Sequence, residues 1–209
     1  MFPQEIENES FRIIRSELGP HSFSDGALNV AIRVIHATAD FDFCTNLRFH
    51  ERAVDAGVAA LCRGCTVVTD VQMVRVGISS VLLARLGGKA VCAIGDSEVC
   101  AEAEVQGMTR AAVALRYNAR FMEGGIVAIG NAPTALFEVI RLVREEGLRP
   151  ALIVGVPVGF VNATESKEAL LSLDVPFITA VGRKGGSTVA AAAVNALLRM
   201  AVERAATAQ

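Results

Sequence analysis

The sequence predicts a three-layer α/β/α fold with a mostly parallel sheet, organised as one domain over residues 1–209. Three observations predict it. Short apolar, β-branched runs recur along the chain (TVVT from 66, IVAI from 126, ALIV from 151, FITA from 177), each bounded by Gly, Pro, Asn or Asp. Helical periodicity fills the intervals between them. Hydrophobic residues make up 52% of the chain with only 5% aromatic, a composition of buried parallel strands packed on closely spaced helices, and no Ser/Pro-rich linker divides it.

Ser10 to Leu18 reads as a helix with Phe11, Ile14 and Leu18 on one face, ended by Gly19-Pro20. Ser24 caps a second helix running to about Ala39. On it Arg33 and His36 are three apart and so are surface neighbours, with Asp40 one turn beyond His36. A third helix is expected over Arg48–Leu61, a strand over Thr66–Thr69 with Asp70 at its carboxyl end, a helix over Ser79–Leu86, and a strand over Ala90–Ile94 ending in the Gly95-Asp96 turn. Helix capping is the simplest role for Asp70 and Asp96. Thr109–Glu123 is the next helix, with Arg110 in its first turn, where a cation opposes the helix dipole.

Val127 to Lys167 is a β-α-β-α unit whose two loops lie at the carboxyl ends of parallel strands, the usual ligand side of an open sheet. In the first loop Gly130 permits a turn, Asn131 is a natural N-cap and Pro133 suits the first helical position, so the amides near Thr134 are set for an anion. In the second, Asn162 or Thr164 can cap, and Lys167 stands early in a helix, where a cation is unfavourable unless an anion requires it. Two ordinary capped helices would produce the same spacing. A last strand over Phe177–Val181 leads into GRKGGST, where Arg183 and three glycines precede a long Ala-rich helix from about Ser187. These glycines are a candidate nest of amides for an oxyanion.

Composition excludes several functions. A net charge of -2 with no basic run argues against nucleic acid. No apolar stretch reaches the roughly 20 residues of a membrane span, and the acidic start, MFPQEIENESF, has no leader-like pattern, so a cytoplasmic protein is expected. Five scattered cysteines suit a reducing compartment, and the pair Cys62 and Cys65 lacks the second pair or the histidines of a zinc site. Neither a P-loop nor a GxGxxG is present, so a dinucleotide cofactor is not supported. Of 20 basic residues 17 are Arg, which fits a polycarboxylate ligand or a genome-wide preference for Arg codons.

The segments VIHATADFDF, TDVQMVRVGI, MTRAA, AIGNAPTALF, GVPVGFVNATESK and VGRKGGSTVAAAAVNAL together resemble the precorrin-8X methylmutases of cobalamin biosynthesis, including the cobalt-precorrin-8 enzymes, over about Ser10 to Leu198. The resemblance implies an isomerase that moves a methyl group between neighbouring ring C carbons of a corrinoid, giving hydrogenobyrinate or cobyrinate. It implies a homodimer without external cofactor, holding a polycarboxylate corrinoid. By the same resemblance His36 is the acid/base, with Arg33, Ser10 and Arg110 as substrate contacts, while Ala111 replaces a Ser common in the family. The other candidate contacts lie in the quoted segments: Asp70 and Met73, then Asn131, Pro133 and Thr134, then Lys167, Arg183 and Ser187. A non-catalytic tetrapyrrole carrier, or a phosphate-ester enzyme using Asp70 and Asp96 for Mg²⁺, are the alternatives.

Overall fold

Pro at the first helical position and the Glu5 carboxylate accepting the Phe2 N–H start the first helix seven residues ahead of Ser10, so α1 spans Pro3–Glu17. The computed structural model describes residues 2–207. α2 (Asp25–Thr38) is capped by the Ser24 hydroxyl, as its sequence predicts, and closes with Ala39 in the left-handed region. The short α3 (Phe43–Asn46) leads into β1 (Leu47–Phe49), where a helix was expected; the helix itself, α4, begins only at Ala53 and ends at Cys62. β1 pairs antiparallel with a strand 130 residues later, a long-range pairing that outweighs local helical periodicity.

β2 (Thr66–Thr69) is followed by α5 (Gln72–Gly77), a short helix that the sequence reading lacks, then by α6 (Ser80–Arg85) and β3 (Lys89–Val91). α7 (Ser97–Gln106) was also not predicted; it has almost no apolar face. α8 (Arg110–Tyr117) stops at a 3-10 turn over Ala119–Phe121, short of Glu123. Then come β4 (Ile126–Ile129), α9 (Pro133–Glu145), β5 (Leu152–Gly155), α10 (Ala163–Leu171), β6 (Phe177–Ala180) and α11 (Ser187–Thr207).

The sheet order is β1-β6-β5-β4-β2-β3, parallel throughout except at the β1 edge. Alternation along the strands feeds two cores. Val67, Ile126, Ala128, Leu152 and Val154 face α2, α4 and α11, while Val68, Val127, Ile129 and Ile153 face α8 and α9. Because β2 leads outward to β3 while β4 leads to β5 and β6 on the other side, the chain reverses direction between β2 and β4. The carboxyl end of that pair is the topological switch point. α11, with its run Ala190–Ala193, lies close against α2 and α5; a Cβ on Gly77 would stand 2.8 Å from that of Ala191.

Candidate active site

At the switch point the expected anion is present, and the protein supplies it. Asp70, fully buried at the end of β2, accepts N–H bonds from Gly130 (3.1 Å), Asn131 (2.8 Å) and Ala132 (2.8 Å). Burial pushes its carboxyl up from the ordinary range, against the downward pull of the three amides. This corrects two readings. Ala132, not Asn131, is the N-cap of α9, and the anion lies one step earlier than the sequence suggests: the loop amides of Gly130, Asn131 and Ala132 are bonded by the Asp70 carboxylate, while the Ala135 amide donates to the Ala132 carbonyl. Asp70 is therefore not placed to touch substrate, nor to hold Mg²⁺ with Asp96.

Lys167 has a similar internal explanation. It is 2% exposed and its Nζ donates to the Lys184 carbonyl at 2.7 Å, so the cation serves the loop before α11 and not an external anion. Burial lowers its pKa to about 8. In that loop Gly186 donates its N–H to Val156, so the glycine nest is partly engaged. A Cβ on Gly130 would lie 2.6 Å from the Ser187 Cα, so only glycine lets α11 seat its first turn on the end of β4.

Beside that first turn opens a cleft of about 480 Å³ between α2, α5 and α11. Four predicted residues meet in it: Arg33, His36, Met73 and Ser187. Its floor is small and apolar (Gly77, Ala191, Ala192), and its rim carries Met73 and Val76, 68% and 70% exposed. His36 lies in the last turn of α2, exposed into the cleft, with the Phe11 ring edge-on at 5.3 Å. Asp40 does not join it. Its carboxylate binds Lys184 at 2.6 Å, tying the end of α2 to the loop that leads into α11. Ser10 precedes Phe11 on α1 and spends its hydroxyl on the Ile6 carbonyl.

The other predicted residues lie outside the cleft. Arg110 is exposed at the start of α8, and Thr134 shares a 2.7 Å hydroxyl contact with Thr109, at the shallow depression between α8 and α9. Asn131 and Pro133 stand beside them, next to Gly130, which touches Ser187. Arg183 lies over the Phe160 ring at 5.3 Å. A larger hollow of about 1200 Å³ beside β1, lined in part by His21, Arg48 and His50, contains none of the predicted residues. Among the described residues no group of three or more His, Cys, Asp or Glu is placed to hold a metal.

A model of the precorrin-8X methylmutase family matches residues 5–200. The chain belongs to this family. The cobalt-precorrin-8 methylmutase of Priestia megaterium is 50% identical over 93% of this chain and 87% of its own length, and the precorrin-8X methylmutase of Pseudomonas aeruginosa 43% identical over 93% and 94%. The solved structure of a precorrin-8X methylmutase from Thermus thermophilus superposes with a TM-score of 0.91 at 43% identity, covering 96% of this chain and 97% of that one. The protein is accordingly a methylmutase, an isomerase of cobalamin biosynthesis. In this methylmutase the sequence reading passed over Thr188, Asn195 and Arg199, all of which line the cleft. Their successive spacings of seven and four residues put them on one helical face. Polar residues interrupting an otherwise apolar helix were the available signal.

Proposed function

We propose that residues 1–209 act as one domain that converts precorrin-8X or cobalt-precorrin-8 to hydrogenobyrinate or cobyrinate by moving a methyl group between adjacent ring C carbons, with His36 as the acid/base. The single observation that carries this reading is the cleft itself: an exposed imidazole over a floor of small apolar residues, with guanidinium groups at one end. A corrinoid precursor is a flat conjugated ring with a rim of carboxylates. The floor suits the ring, and Arg33 suits a rim carboxylate.

The methyl shift needs no nucleophile. Protonation on or near ring C polarises the conjugated system and favours migration, a task for a positioned acid able to give and regain a proton near neutrality, which is the chemistry of histidine. Phe11 fixes the imidazole from one side and stacks under Arg33 at 4.8 Å, so one aromatic ring orients both groups. The cobalt ion, where the substrate carries one, sits inside the ring and requires no protein ligand, which is consistent with relatives named for both forms. Ser10, Met73 and Ser187 we assign to the walls around the ring, Arg110, Asn131, Thr134 and Arg183 to the outer carboxylates along the carboxyl rim of the sheet, and Pro133 to an apolar contact beside them.

The exposed Met73 and Val76 at the cleft mouth, with Val158, Phe160 and Val161 in the loop after β5, support a homodimer that closes the open side of the cleft. Incubation with precorrin-8X and with its cobalt form, followed by absorption, tests the activity. Conversion alters the conjugation of the ring and hence the spectrum; tight binding without spectral change would favour the carrier instead.

A further inference from the structure

Arg33 and Arg199 come from different helices, α2 and α11, and both line the cleft, yet they converge on one oxygen of a third residue. Glu7 Oε1 accepts from Arg33 Nη1 at 3.1 Å and from Arg199 Nη2 at 3.4 Å. Two guanidinium groups this close repel one another. Burial first and the charge of Arg199 second hold the Arg33 pKa below its ordinary value, against the pull of Glu7. The pair is therefore built to hold a carboxylate between its members, with Glu203 adding a more distant negative charge that also acts on Arg33.

The part of α1 that carries Glu7 is shallowly seated. Glu7 stands in the N-terminal half of α1, where no side chain from Glu5 to Ile13 is buried; the buried anchors of the helix are Ile14 and, just past its end, Leu18. Withdrawing Glu7 exposes little apolar surface, whereas Arg33 keeps its place on the Phe11 ring.

We propose that Arg199 and Arg33 form a subsite for one rim carboxylate of the corrinoid, and that Glu7 is the internal carboxylate that occupies it until the ligand displaces it. The proposal rests on the corrinoid reading above. It makes Glu7 a specificity-determining residue, since a ligand group must compete with a carboxylate to enter, which an amide cannot do. Absorption titration of the full chain with hydrogenobyrinate, and separately with its fully amidated counterpart, tests it.

Arg199→Gln is expected to weaken hydrogenobyrinate binding by roughly tenfold or more, as for loss of a charge-assisted contact, with partial recovery in Arg199→Lys. Glu7→Gln is expected to tighten binding by roughly threefold or more, because an internal competitor has been removed. Both differences should vanish with the amidated ligand. Weaker binding in Glu7→Gln would make Glu7 a strut and overturn its displacement, and unchanged affinity in Arg199→Gln would overturn the subsite. Failure of the unaltered protein to bind hydrogenobyrinate would overturn the corrinoid reading and the subsite with it, an outcome distinct from binding that ignores the substitutions.

Discussion

His36 and Asp70 carry different kinds of consequence. His36 is exposed, with the Phe11 ring edge-on beside it, so His36→Ala removes little burial. The variant is expected to fold and to bind corrinoid while losing about 10²–10⁴ in turnover, the contribution of a general acid; parallel binding and single-turnover assays check this, and unchanged turnover would remove His36 from the mechanism. Asp70→Asn leaves one acceptor oxygen for three amides and turns an NH₂ group toward N–H donors. A loss of about 2–4 kcal/mol in stability is expected from denaturant unfolding, without a selective effect on ligand affinity. Local patterns made the Ser24 cap and the neighbouring of Arg33 and His36 on one face of α2 legible in the sequence. The partner of the Gly130–Ala132 amides was not, because the loop requires an anion without saying whether it comes from a ligand or from a strand elsewhere in the chain.

Among the elements, the strands buried on both faces were readable because unbroken β-branched runs have few other uses, and β2, β4, β5 and β6 stand where they were expected. β1, α5 and α7 were not readable: β1 and α5 are too short for a period to emerge, and β1 exists only through its pairing with β6. The loop before α11 depends on similar remote support, from Lys167 beneath and from Asp40 through Lys184 at the side. Lys167 gives this support a pH signature. The unfolded chain holds the lysine proton up to its ordinary pKa of 10.5, while the native state releases it near 8. The penalty for the buried charge is thus full below pH 8, and stability should rise as pH climbs from 8 toward 10.5. Unfolding midpoints of the natural protein minus those of Lys167→Met should show this rise; a flat difference would contradict it.

At the scale of the molecule, the cleft is open on the side where Met73 and Val76 stand exposed. Sedimentation at micromolar concentration is expected to give a dimer, and replacing Met73 and Val76 together by Asp should shift it toward monomer with loss of activity. A fully active monomer would refute the closure of the cleft by a second copy. No helix among the described residues is long and apolar enough to cross a membrane.

The Asp70 carboxylate beneath α9 has a practical corollary for anyone handling this protein. Many α/β folds offer their switch-point amides to phosphate or sulfate, and buffer ions then compete with the substrate. Here the amides of Gly130, Asn131 and Ala132 are hydrogen-bonded by a side chain tethered to the same chain, at an effective concentration no buffer reaches. At matched ionic strength, exchanging a phosphate buffer for an uncharged one should leave the melting temperature unchanged, and a phosphate-dependent increase would mean that Asp70 yields its place.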